Sequence, residues 1–277
     1  MRSHIQPSPA SFVAACATVL AAACSGATNS VAPPQPPPPP PPAPPGAELL
    51  YYTTLDDAAS VSSPAKGSGA GSMLQTTPAN DFVAARVGGG LRTDVVNERL
   101  GIPQRNGSVR NIDLERGTIE FWYRPSYDHD DDLKYSIVGT GSWGVPPPNG
   151  PIHFGKHNLS NDNAIFVIFY RANGVRAELN VEANQYQWSS GQWILLRLTW
   201  DFTVPAGVPN IHLYMDGEEL PLTGDCSQTC DLTGPQGVPD ESPSDFIYVG
   251  SRDQTGAIGP AGVYDEFRIW NVAIPPS

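Results

Sequence analysis

The sequence predicts an all-β domain over residues 47–277, on three observations. From Ala47 onward, short runs of β-branched and aromatic residues are broken by Gly, Pro, Asn and Asp, with no helical periodicity of useful length. In Thr118–Arg124, Ile119, Phe121 and Tyr123 fall on one face and Thr118, Glu120, Trp122 and Arg124 on the other, as in a sheet with one face in a core. Asp216-Gly217 separates two short runs, a hairpin signal because both central residues of such a turn need positive φ.

Eight strands carry the clearest signals: Glu48–Thr53, Thr118–Arg124, Ala164–Arg171, Ala177–Val181, Trp193–Trp200, Ile211–Met215, Phe246–Gly250 and Val263–Trp270. Ile211–Met215 continues through the Asp216-Gly217 turn into Glu218–Leu222. Eight or more strands require a sandwich or a barrel. The 231 residues from 47 to 277 bury roughly 70% or more of their extended surface in one domain, and no internal repeat divides them.

Residues 1–23 have the layout of an export leader. A polar stretch with Arg2 precedes an apolar run, residues 11–23, that is too short to span a bilayer. Leu20-Ala21-Ala22-Ala23-Cys24 resembles the bacterial lipobox, whose cysteine is acylated and becomes the mature N-terminus. Val13-Ala14-Ala15-Cys16 also fits loosely, but cutting there leaves only about four apolar residues in the core of the leader. An ordinary secretory leader with an incidental cysteine is the other alternative. If the lipobox sorting rule applies, Ser25 after the cysteine implies an outer-membrane destination in a cell that has one, on an unassigned face.

Residues 24–46 then form a tether. Residues 33–45 hold eleven prolines in thirteen positions, which removes the donors a helix or sheet needs. The segment is expected as polyproline II of about 40 Å, either a stand-off or a ligand for a proline-recognition domain.

The chain has 28 acidic and 16 basic residues, a formal net charge of −12. Arg2 is the only charged residue before position 47. Such a field repels phosphate backbones and anionic lipid, which argues against nucleic acid and leaves the lipid anchor as the expected link to a membrane. Cys226 and Cys230 are the cysteines left in the folded part, and export to an oxidising compartment predicts a local disulfide, stabilising by roughly 2 kcal/mol. Zinc is the alternative, but two thiolates with no nearby His leave it half coordinated.

Five segments in succession then carry a resemblance: Leu49-Leu50-Tyr51-Tyr52; Gly117-Thr118-Ile119-Glu120-Phe121-Trp122; Gly191-Gln192-Trp193 running to Leu198-Thr199-Trp200-Asp201; Leu213-Tyr214-Met215-Asp216-Gly217; and Gly262 through Asp265-Glu266-Phe267-Arg268-Ile269-Trp270-Asn271. Together they resemble a laminin-G-like domain of the concanavalin A-like lectin/glucanase superfamily, over essentially all of residues 47–277. The resemblance implies a jelly-roll sandwich of two antiparallel sheets in which the first and last strands pair. It implies no single function, because the superfamily holds lectins, adhesion modules and glycosidases.

It also implies a metal. Many relatives hold a structural calcium where the exit of the first strand meets the last strand, through backbone carbonyls and an acid at the position resembling Asp265. Asp56 or Asp57 is the expected partner, since hard oxygen ligands suit calcium. The competing role for these acids is to cap turns or pair with Arg268.

Catalytic patterns are weaker. A glycosidase needs two carboxylates roughly 5 to 9 Å apart across a sugar-binding groove, and the superfamily's retaining enzymes place them in Glu-Ile-Asp-x-x-Glu or a close variant. Asn111-Ile112-Asp113-Leu114-Glu115 resembles that motif with Asn111 at the nucleophile position, where an amide cannot act. Gly139-Thr140-Gly141-Ser142-Trp143-Gly144 has dinucleotide spacing, but Val145-Pro146-Pro147-Pro148 forbids the helix that would receive a pyrophosphate. Asp128-His129-Asp130-Asp131-Asp132 opens like a calcium loop, yet Leu133 stands where Gly is needed and Gly139 where Glu is needed. His153 and His157 lie roughly 13 Å apart on a strand.

Trp122, Trp193, Trp200 and Trp270 sit in strand patterns and are expected to pack, with sugar stacking as the alternative; Trp143 falls in a Gly- and Pro-rich loop. The expected function is a non-catalytic, membrane-tethered module that binds a glycan or a cell-envelope or extracellular protein, with a structural calcium as its cofactor. A glycan-cleaving enzyme with an unrecognised site and a purely structural envelope protein are the alternatives.

Overall fold

The computed structural model describes residues 45–74, 81–94, 98–141, 152–224, 233–242, 244–251 and 262–275, all within a unit spanning Pro37–Ser277. The leader, Cys24, nearly all of the proline run, Trp143, Cys226 and Cys230 lie outside them.

The described elements are β1 (Leu49–Thr53), α1 (Ala58–Ser62), β2 (Ser72–Leu74), β3 (Phe82–Ala84), β4 (Gly89–Thr93), β5 (Arg99–Pro103), β6 (Arg105–Asn106), β7 (Val109–Arg110), β8 (Arg116–Pro125), β9 (Tyr135–Thr140), β10 (Ile152–Lys156), β11 (Ile165–Tyr170), β12 (Arg176–Val181), β13 (Ile194–Asp201), β14 (Ile211–Met215), β15 (Glu218–Leu220), β16 (Thr223–Gly224), β17 (Phe246–Val249) and β18 (Gly262–Trp270). Two short 3₁₀ turns, Leu159–Asn161 and Ala183–Gln185, complete them.

The fold is a β-sandwich of two antiparallel sheets. One runs β15-β14-β13-β8-β18-β4-β3, with β1 also paired to β18; the other runs β16-β12-β11-β10-β9-β17-β5-β2. Alternation places Ile119, Phe121 and Tyr123 of β8 inward, where they join Tyr264 and Phe267 of β18 and Phe154, Val167 and Phe169 of the facing sheet in one core. Phe121 stacks on Phe267 at 5.6 Å. The Tyr264 hydroxyl crosses between the sheets and donates to the Ile137 carbonyl at 3.1 Å. The hairpin of β14 and β15 turns on Asp216 (φ 52°) and Gly217 (φ 89°), as the Asp-Gly pair predicts.

The last strand decides where a site can form. β18 pairs along one edge with β8 over its whole length. Its other edge is shared end to end: Gly262–Tyr264 pair with β4 and Phe267–Trp270 pair with β1. Between the two partners the β8 ladder shifts register across Asp265–Arg268, and Glu266 takes φ 57°. A bulge of this kind re-aims side chains and frees backbone groups at one point of an otherwise continuous strand.

Candidate cation site and outward aromatic face

The chain folds around that bulge from two sides. β1 leaves the sheet through Leu55, whose φ of 62° is unusual for a branched residue and turns the backbone so that Asp56 follows at once. The β3–β4 connection folds over the same point, held by Ala85 N–H donating to the Gly88 carbonyl at 3.2 Å. Val87 N–H donates to Asp265 Oδ2 at 2.8 Å and Gly89 N–H to Asp56 Oδ1 at 2.6 Å. Amide nitrogens two residues apart lie within about 7 Å, so one turn gathers both carboxylates. Gly88 (φ 65°) and Gly89 are required there, because a Cβ on either would collide with Asp56.

Electrostatically the site is unfinished. Asp265 is fully buried and its Oδ1 accepts no hydrogen bond. Burial, with the charges of Glu266 and Asp56, raises its pKa from 3.8 to about 7 against the lowering effect of the Val87 and Arg86 amides. A buried carboxylate oxygen without a donor, beside a second carboxylate, is the environment a hard cation satisfies. Among the described residues no three His, Cys, Asp or Glu converge on one point. A cation here would therefore rest on Asp56, Asp265 and backbone carbonyls.

The structure separates the three acids that the sequence groups. Asp57 caps α1: its carboxylate accepts Ser60 N–H at 2.8 Å, and the Ser60 hydroxyl accepts Asp57 N–H at 3.2 Å. Arg268 pairs with Glu266 and lies 3.7 Å from Glu120, so it does not neutralise Asp265. Adjacency in sequence cannot tell Asp56 from Asp57; the run Gly88-Gly89-Gly90, a mark of close backbone approach, was the unused signal.

Other motifs resolve as scaffolding. Asn111 is fully buried; its Oδ1 accepts Ser68 N–H at 2.9 Å, and its amide nitrogen donates to the Ser68 and Pro103 carbonyls at 2.7 and 2.8 Å. Asp113 caps the turn into β8 through Glu115 and Arg116 N–H at 2.9 and 3.3 Å. The acidic loop diverges. Asp128 accepts Ser190 N–H, Asp131 accepts Leu133 N–H and Asp132 accepts Leu159 N–H, at 2.7, 2.7 and 2.8 Å. Buried Lys156 closes this loop through the Asp131, Leu133 and His157 carbonyls. His153 is on β10, and His157, just beyond it, meets Glu178 at 2.8 Å.

The tryptophans divide by face. Trp200 is core, 1% exposed, with its indole N–H on the Asp113 carbonyl at 3.1 Å; Trp188, also 1% exposed, is a second core ring. Trp122, Trp193 and Trp270 are half-buried on the outward side of the β8 sheet. The Arg86 guanidinium lies 4.0 Å over the Trp122 ring and that of Arg124 5.0 Å over Trp193. The Trp122-x-Arg124 alternation places two of these groups on one face from sequence alone; Arg86 needed the β3–β4 turn.

No protein-family model matches the chain, and no curated protein matches it in sequence. Solved structures do match in fold. A botulinum neurotoxin DC binding domain, solved in complex with SialylT, aligns at 12% identity and TM-score 0.51 over 82% of this chain and 48% of that one. The serotype G binding domain gives 13% and 0.51, and the receptor-binding domain of the C/D mosaic serotype 11% and 0.51, with the same coverage of 82% and 48%. The chain thus spans about half the length of each. At these identities the likeness shows the sandwich fold.

Proposed function

We propose that this chain is a laminin-G-like binding module, carried on a lipid-anchored tether at the cell envelope, that recognises a glycan or protein partner without cleaving it. The observation that carries the reading is Asn111. At the position resembling the superfamily's nucleophile stands an amide, buried and consumed by three structural hydrogen bonds, so the one segment resembling a glycosidase motif serves to pin a loop. The neurotoxin domains of like fold support the reading, being named as binding domains; their ligands belong to domains about twice this length.

The lipid on Cys24, the polyproline stand-off and the Cys226–Cys230 disulfide are parts of the same proposal, and so is an outer-membrane location. Calcium at Asp56 and Asp265 completes it, supported by the partnerless Asp265 Oδ1. Bound there, the ion would supply positive charge that locks the β1 exit and the β3–β4 turn onto the bulge of β18.

Screening the full chain against glycan and envelope-protein arrays tests the function. Saturable capture of a ligand is expected; a folded chain that captures nothing on either array contradicts it. Mass spectrometry of the mature N-terminus tests the anchor, and an unmodified residue there ends that part.

A further inference from the structure

The outward face of the β8 sheet carries a positive, aromatic surface on a chain of net charge −12. Across the strands one rung runs Arg92, Val263, Arg124, and Trp193 stands just before Ile194, the partner of Tyr123, so it lies beside Arg124. On the next outward rung Trp122 lies between Asp265 and Leu195, with Arg86 over its ring. Arg92 meets Asp94 at 3.1 Å. Arg86 and Arg124 meet no carboxylate among the described residues, and Arg86 Nε is buried without a hydrogen-bond partner. The buried Asp265 beneath is held by the Arg86 and Val87 amides.

Two guanidinium groups that meet no acid among the described residues, each fixed on an indole, form a preorganised surface. The stacking holds each guanidinium on its ring and removes rotamer freedom. It leaves the N–H edges of both groups in set planes, suited to two-point contact with a carboxylate or sulfate. Consecutive outward positions on a strand are about 7 Å apart, so the two stacked pairs make a short row along β8. A sheet face with such a row fits an extended acidic chain.

We propose that this face binds an anionic polysaccharide, its acid groups paired with Arg86 and Arg124 and its rings lying along Trp122 and Trp193. The proposal rests on the reading of the chain as a glycan-binding module and names the glycan class. It also fits the overall charge: the acidic body repels bulk polyanion, so capture depends on these two arginines.

The test is equilibrium binding of the full chain to an oligogalacturonide, with neutral dextran beside it, in sodium buffer without divalent ions. The wild type is expected to bind the oligogalacturonide and not dextran, with affinity falling as salt rises from about 0.05 to 0.2 M. Arg86→Ala with Arg124→Ala is expected to weaken binding by about tenfold or more with the melting midpoint preserved, and Arg→Lys at both sites to restore part of it. Binding that the alanine pair leaves unchanged, or equal binding of dextran, overturns the proposal and leaves a glycan module with its site elsewhere. Folded protein that binds neither probe overturns the proposal, and the glycan reading itself is then decided by the array screen. Self-association abolished by the same substitutions assigns the face to a second copy and also overturns it.

Discussion

Asp265 is where the sequence comes nearest to chemistry, and its environment sets a pH dependence. Its folded pKa of about 7 stands above the usual 3.8, so the metal-free fold holds this proton more tightly than the unfolded chain does. The stability it contributes is fully present below about pH 4 and is lost as pH rises through about 7. Calcium bound at the proposed site would take the proton's place and restore it above that range. Thermal melts at pH 8 are therefore expected to shift upward with calcium and downward with chelator. Asp265→Asn, which removes the desolvated charge, is expected to raise metal-free stability at pH 8 by on the order of 2 to 4 kcal/mol and to abolish the calcium response. A variant that still responds to calcium contradicts the assignment. Asp265 was readable because it lies in the last-strand segment on which the laminin-G-like resemblance rests; its partner was not, since Asp56 and Asp57 differ only in where Leu55 turns the chain. Lys156 gave no sequence signal at all, because its burial depends on the Asp131 and Leu133 carbonyls of a loop more than twenty residues earlier in the chain.

At the scale of elements, legibility followed alternation and unbroken runs of β-branched and aromatic residues, such as Ile165–Tyr170 of β11. β8 was readable because one face is core and the other is wet, which writes alternation into the residues. β9 and β10 were not, because every residue of both is buried. That erases alternation, and Gly139 and Gly155 interrupt the β-branched pattern besides. The β3–β4 connection is the element on which the candidate site depends, and its glycines test it. Gly88→Ala forces a side chain at φ 65° into Asp56 and is expected to cost about 2 kcal/mol or more and to blunt the calcium shift. Gly107→Ala, at φ 59° in the β6–β7 turn with open space around it, is expected to cost only about 1 kcal/mol and to leave that shift intact. Equal effects in chemical denaturation would mean that φ alone matters at Gly88 and that the approach to Asp56 does not.

For the whole molecule, a sandwich or barrel was legible from strand count, and the pairing of first and last strands only from the laminin-G-like resemblance. Function was legible only as exclusions, because one fold hosts lectins and hydrolases alike and the difference lies in a few side chains. Asn111→Asp restores a carboxylate at the position resembling a nucleophile. It also sets acceptor against acceptor at the Ser68 and Pro103 carbonyls, so a loss of about 2–3 kcal/mol in stability with no gain of hydrolysis is expected. Hydrolysis appearing in that variant would show that the loop around it is an active site after all. The same question is put to the native chain most directly by counting reducing ends on whatever glycan it captures, before and after prolonged incubation. A binding module returns the glycan at its original length with no new reducing ends; new ends rising in proportion to the amount of protein would contradict the account.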